Sequence, residues 1–168
     1  VKDDGRVFTD MNQSSALGGL TYGVTNMELN AAYACIANGG IYNEPTLYTK
    51  ILDADGNVLI DKTVPESRRV IQETTAYMLT TAMVDVVTVG TGGSVNFGGM
   101  AIAGKTGTTS DYNDVWFSGY TPYYTATAWV GYDNNAKLTS KAEKNLAKTL
   151  WRAVMSRVHE ELPSESFY

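Results

Sequence analysis

The stretch Met100-Ala101-Ile102-Ala103-Gly104-Lys105-Thr106-Gly107-Thr108-Thr109 decides how this chain is read, because an apolar run passes directly into a cation, three hydroxyls and two glycines. With Gly99 in front, it satisfies the G-x-x-x-x-G-K-[ST] form of a phosphate-binding loop. Such a loop follows a strand and opens a helix whose amides meet the phosphates. Here residues 100–103 are themselves strand-like, and Gly107 discourages a helix directly after Lys105. A second reading keeps the motif on a strand beside a cleft. There the lysine supplies positive charge, glycine lets a peptide lie close, and threonine hydroxyls bind a carboxylate. Backbone amides of the same strand can serve an acyl-transfer oxyanion, and an edge strand can pair with an extended peptide. A surface lysine followed by a Thr/Gly turn is the third reading. The motif by itself leaves all three open.

Working outward, residues 115–120 and 124–132 read as two further strands joined across Thr121-Pro122-Tyr123, a connection short enough to make them antiparallel. Three helices are predicted around them. Thr25 and Glu28 form a capping box that starts a helix over about 26–38, with Leu29, Ala32, Tyr33 and Ile36 on one stripe. Ala76, Leu79, Met83 and Val86 recur at helical spacing over 73–87. Ser140 and Glu143 form a second capping box before Leu146, Leu150, Val154 and Val158, with Ala147, Trp151 and Met155 beside them. Residues 47–52 and 57–60 read as a hairpin turning at Asp53-Ala54-Asp55-Gly56. The fold class expected is α/β in the broad sense (α+β). Its antiparallel sheet has three main strands, with the Lys105 strand at one edge and residues 124–132 at the other. Trp116, Phe117 and Trp129 are expected to pack in the core or on a sheet face rather than bind a ligand.

Composition narrows the function. A chain of 168 residues with 43% hydrophobic content can bury a sizeable core, so disorder is not expected. Thirteen Lys and Arg against eighteen Asp and Glu argue against a face built to hold nucleic-acid phosphates. Cys35 is the single cysteine and reads as a buried structural thiol; with one histidine, it leaves no structural-zinc spacing. No apolar run approaches the roughly 20 residues that cross a bilayer. Val1 to Asp10 lack the basic start and apolar run of a secretory signal. The chain is therefore compatible with an excerpt of a longer protein. No cofactor or metal is implied. His159 reads as a helix-terminal or partly buried residue rather than a catalytic base.

The surrounding text resembles the serine transpeptidases of the class A penicillin-binding proteins over nearly everything from Leu17 to Tyr132. The likeness is carried by Gly18-Gly19-Leu20-Thr21-Tyr22-Gly23-Val24-Thr25, by Ala31-Ala32-Tyr33-Ala34 with Ala37-Asn38-Gly39-Gly40, and by Asp55-Gly56-Asn57-Val58-Leu59. It continues through Ala76-Tyr77-Met78-Leu79, Val89-Gly90-Thr91-Gly92, Ala103 to Thr109, Asp114 to Pro122 and Trp129-Val130-Gly131-Tyr132. The family's chemistry uses S-x-x-K, then S-x-N, then K-T-G. Only the third belongs to this stretch. No S-x-x-K occurs, and Ser94-Val95-Asn96 stands immediately before the K-T-G strand, far from the family position of the second motif.

The resemblance implies one partial transpeptidase (β-lactamase-like) domain over 1–168 that lacks its N-terminal strands, with residues 136–168 as C-terminal helix and tail. It implies a peptidoglycan D,D-transpeptidase that attacks D-Ala-D-Ala stem peptides through a serine located before Val1. Lys105 and Thr108 would be the catalytic contributors, through charge and through an oxyanion-binding amide. Thr106, Gly107, Thr108 and Thr109 would bind substrate, with turn support as the competing duty of Thr109. Implied partners are stem peptides, β-lactam antibiotics and the remainder of its own domain, and the implied location is the outer face of a bacterial membrane. A serine β-lactamase or D,D-carboxypeptidase would share K-T-G without the flanking text, and a non-catalytic binding fragment is the other alternative.

Overall fold

The structure, a computed structural model, describes the backbone of residues 2–3 and 6–7 and then residues 9–167. Val1 to Asp10, read above for a secretory signal, and the end of the tail therefore fall partly outside the described residues. In chain order the elements are β1 (Lys2–Asp3), β2 (Arg6–Val7), α1 (Asn26–Ala37), β3 (Ile41–Asn43), β4 (Lys50–Leu52), β5 (Val58–Asp61), β6 (Ser67–Arg69), α2 (Glu73–Thr88), β7 (Ala103–Thr108), β8 (Asp114–Tyr120), β9 (Thr125–Gly131) and α3 (Lys141–Val158).

The central sheet has the order β7-β8-β9, wholly antiparallel, with Lys105 opposite Ser118 and Trp116 opposite Trp129. Lys105 thus lies on one edge strand, as the sequence predicts. Alternation along the strands sends Phe117, Val115, Ala128 and Val130 to one face and Lys105, Ser118, Trp116 and Thr127 to the other. The first face meets α3. Phe117 stacks edge-on against Trp151 at 5.1 Å between ring centroids, and the Trp151 indole N–H donates to the Ala126 carbonyl at 3.0 Å. Val87, Val95, Ile102, Leu138, Ala147 and Met155 join this apolar cluster. The opposite face meets α1, where the Asn30 carboxamide oxygen lies 3.3 Å from the Thr127 hydroxyl. α2 runs beside β7. Its Met83 joins Ala103 and Tyr120 in a second apolar cluster, while Val87 reaches the first.

Both predicted capping boxes form, at Thr25 with Glu28 and at Ser140 with Glu143. Other local expectations shift by physical rule. The strand predicted from residue 100 starts at Ala103. Gly98 and Gly99, at φ 77° and 69°, redirect the chain, and the Ala101 amide donates to the Glu165 carbonyl instead of a strand partner. In α2 the buried positions are Ala76, Thr80, Met83 and Val87, and Leu79 stays exposed. Thr80 tolerates burial because its hydroxyl lies 2.8 Å from the Ala76 carbonyl and 2.6 Å from the Tyr120 hydroxyl. In α3 the inward stripe is Ala147, Trp151 and Met155, whereas Leu146, Leu150, Val154 and Val158 remain half exposed.

The hairpin appears as β4 and β5, with β4 starting three residues later than the apolar run and β5 displaced by one residue, and both strands are exposed along their length. Pairing of β3 with β6 is additional, with Ile41 opposite Arg69. Cys35 is buried in α1, and desolvation raises its thiol pKa, consistent with an inert structural residue. Among the aromatic expectations, Phe117 is fully buried, while Trp116 and Trp129 pair on the α1 side at 6.3 Å.

Candidate active site

Gly104, Gly107 and Gly119 shape the strand that carries the motif. A Cβ on Gly104 would meet the Phe117 ring at 2.7 Å and the Ser118 carbonyl at 2.9 Å. Gly119, directly opposite, would meet the Ala103 carbonyl at 2.9 Å. This glycine pair lets β7 and β8 close around the Phe117 ring, a steric need and not a conformational one. At Gly107 a Cβ would stand 3.1 Å from that of Trp116, so the lack of a side chain there admits the indole and keeps the strand surface low.

Lys105, Thr106, Gly107, Thr108 and Thr109 line one wall of a cleft of about 640 Å³. The opposite wall is the glycine-rich segment 17–24, and Leu29 and Tyr33 of α1 close its end. The sequence placed both segments in one family pattern without showing that they face each other. Asp10 ties the segment down: its carboxylate accepts from the amide and hydroxyl of Thr21, each at 2.7 Å, and these bonds lower its pKa.

The Lys105 ammonium donates to the Thr106 carbonyl at 3.1 Å and approaches the Thr106 hydroxyl at 3.5 Å. No carboxylate lies within ion-pair distance of Lys105 among the described residues. Beneath it the sheet is polar: Ser118 is buried, and its hydroxyl lies 3.0 Å from that of Thr127. Ser118, Thr127 and Asn30 form a row that sequence reasoning does not identify, because their residue types are common and their adjacency arises only from register. Thr106 also reaches the far side of the strand, where its hydroxyl lies 3.0 Å from that of Thr91.

Thr109 is used locally. Its amide donates to the Asp114 carbonyl at 3.1 Å, and its hydroxyl accepts from the Asp114 amide at 2.8 Å, closing the β7–β8 connection. The carboxylate of Asp114 also accepts from the Trp129 indole at 2.9 Å. His159 lies away from the cleft. Thr121 Oγ1 accepts from the amides of Tyr123 and Tyr124, which leaves its own hydrogen for His159 Nε2 at 2.8 Å. The ring proton is then on Nδ1 and is donated to the Met155 carbonyl at 2.6 Å. Ser94 and Val95 lie in a short 3-10 turn (Gly93–Val95) that ends at Asn96, with Val95 in the core. Among the described residues no cluster of His, Cys, Asp and Glu could hold a metal, and no helix is long and apolar enough to cross a membrane.

An antiparallel sheet between helices, with a lysine and threonines on the edge strand of a cleft, is an arrangement chemically able to receive an anionic, extended ligand at a sheet edge. The chain belongs to the penicillin-binding protein transpeptidase domain family, whose pattern matches residues 3–156. Penicillin-binding protein 1A of Clostridium botulinum is 36% identical over 151 residues, covering 89% of this chain and 18% of that protein. The chain therefore spans less than a fifth of that relative. PonA1 from Mycobacterium tuberculosis, solved in complex with penicillin V, superposes with a TM-score of 0.82 at 28% identity, over 94% of this chain and 43% of that one. An imipenem acyl-enzyme complex of penicillin-binding protein A from M. tuberculosis gives a TM-score of 0.64 at 26% identity, over 79% and 31% of the two chains.

Proposed function

We propose that this chain is the C-terminal part of a transpeptidase domain, with residues 136–168 as its last helix and tail, and that it supplies the K-T-G wall of a peptidoglycan cross-linking site. The observation that carries the reading is Lys105-Thr106-Gly107-Thr108 on an edge strand of a helix-flanked sheet, facing the 17–24 segment across one cleft. In the whole protein a serine outside this chain attacks the carbonyl of a D-Ala-D-Ala stem peptide and expels D-Ala. The acyl group then passes to a neighbouring amine. β-Lactams, which the named relatives bind, acylate the same serine and mimic the first step.

Each residue has a physical task. Lys105, without a carboxylate partner among the described residues, contributes positive charge to proton transfer and to the incoming carboxylate. The hydroxyls of Thr106 and Thr108 donate to that carboxylate, and the Thr108 amide is one donor to the oxyanion. Gly107 lets the ligand backbone lie against the strand. Thr109 holds the turn and touches substrate at most through its position in the cleft lining. The site sits at the outer face of the bacterial membrane, where stem peptides are.

The chain by itself, holding K-T-G without S-x-x-K, forms no acyl adduct. Labelling with a fluorescent penicillin tests the reading: the complete protein becomes covalently labelled, and the 168-residue chain does not. Stoichiometric labelling of the isolated chain would overturn the assignment of the nucleophile to another segment.

A further inference from the structure

The segment Val89-Gly90-Thr91-Gly92 is part of the family pattern, yet none of the tasks above uses it. Its structure is specific. α2 ends at Thr88, and the chain doubles back on the last turn of that helix, with the Gly92 amide donating to the Val86 carbonyl at 2.8 Å. A Cβ at Gly90 would stand 2.9 Å from the Val86 Cα and carbonyl oxygen, and one at Gly92 would stand 3.1 Å from the same oxygen. Two glycines thus let the loop press against α2, and the residue between them is held in a fixed place.

That residue is Thr91, and it points at β7. Its hydroxyl oxygen is 3.0 Å from the Thr106 hydroxyl oxygen. Its carbonyl accepts from the Lys148 ammonium at 3.4 Å, linking the loop to α3 as well. Behind the strand these groups border a recess of about 180 Å³ that Thr108 and Lys144 also line. The motif strand is therefore braced from the side opposite the cleft.

We infer that Thr91 is a positioning residue for the carboxylate-binding hydroxyl of Thr106, an inference that rests on the role proposed above for Thr106. A threonine hydroxyl has one hydrogen and two acceptor lone pairs. The Lys105 ammonium lies 3.5 Å from Thr106 Oγ1 and can only donate. When Thr91 also donates, both lone pairs of Thr106 are engaged and its single hydrogen is left for an incoming anion. The result is a chain O–H···O–H···⁻O in which each bond polarises the next. Without Thr91 the Thr106 hydrogen has no fixed direction, and its side chain can turn among its few χ1 states.

The test uses the complete protein and a carboxylate-bearing penicillin, with acylation resolved into a pre-covalent dissociation constant and an acylation rate constant. Thr91→Val removes the hydroxyl at nearly constant volume and is expected to weaken the pre-covalent step about threefold to tenfold, the range of one neutral hydrogen bond. Thr91→Ser keeps the donor and restores wild-type behaviour. The methyl ester of the same penicillin, which lacks the anion, is expected to bind Thr91→Val and wild type alike. In a Thr106→Val background, Thr91→Val adds nothing, because the residue acts through Thr106. Should Thr91→Val fail to fold, Thr91→Ala against Thr91→Ser supplies the same comparison. The inference is overturned if Thr91→Val binds like wild type, if Thr91→Ser is equally impaired, if the ester loses as much as the acid, or if the double variant is additive. If Thr106→Val leaves acylation untouched, the role of Thr106 falls and this inference with it. If Thr106→Val is impaired while Thr91→Val is normal, only the positioning role falls.

Discussion

The two faces of the β7-β8-β9 sheet are built from the same strands on opposite principles. Toward α3, Val115, Phe117 and Ala128 pack against Trp151 and Met155 with almost no exposure. Toward α1, the corresponding positions are Lys105, Ser118 and Thr127, with Trp116 and Trp129 paired at the margin. One face is filled to exclude water and hold the strands. The other keeps polar groups and a cation at a cleft. A strand with period two can serve both because adjacent residues never share a face. Thr106 marks the crossing point, since it belongs to the cleft wall and is also reached from behind by Thr91.

Substitutions on the two faces should separate stability from activity. The largest effect is expected at Phe117→Ala, which empties the centre of the α3 side and should cost about 3–5 kcal/mol of stability. Denaturant unfolding of the complete domain measures it, and a loss below about 1 kcal/mol would break the claim that this face carries the fold. Next comes Lys105→Ala on the cleft side. Acylation by a penicillin should fall about 10²- to 10³-fold with the unfolding midpoint preserved, as for loss of one electrostatic stabiliser. Equal loss of stability and activity would mean that the two faces are not separable.

His159→Ala probes the polar exception at the end of α3. It leaves the Thr121 hydroxyl and the Met155 carbonyl without their partner and should cost about 1–3 kcal/mol, with acylation unchanged in the folded fraction. The smallest effect is expected at the helix cap. The Ser140 amide, followed by the Tyr132 hydroxyl, holds the Glu143 carboxyl down at about 2. Because its folded pKa lies below the ordinary carboxylate value, its contribution is complete above that value and disappears as pH falls toward about 2. Following the Glu143 carboxyl resonance during acid titration measures the midpoint, and Glu143→Gln should remove the corresponding pH dependence of stability. A midpoint near the ordinary glutamate value would show that the cap bonds do not form in solution.

Local rules were legible where they act within one segment. The capping boxes, the approximate spans of the three helices and the antiparallel pairing of residues 115–120 with 124–132 follow from spacing and turn chemistry, whereas the edge position of Lys105 was expected only alongside the family resemblance. What could not be read was which of two apolar stripes faces inward. In α3 both Leu146-Leu150-Val154-Val158 and Ala147-Trp151-Met155 have helical spacing, and the choice depends on the shape of the sheet beneath. Thr80 entered the core in place of Leu79 for a related reason, since the Tyr120 hydroxyl near it comes from β8. The rows Ser118-Thr127-Asn30 and Thr91-Thr106 were illegible because each joins residues distant in sequence through register or loop closure.

The sequence by itself determined the chemistry available: a lysine, threonines and glycines at strand spacing, in the family's order, without S-x-x-K. Tertiary structure decided where that chemistry points. It set Lys105 over a polar sheet face, brought residues 17–24 across from it, and placed Thr91 behind Thr106. Residue type and local period are properties of a segment, whereas facing and bracing depend on packing between segments that the chain brings together only on folding.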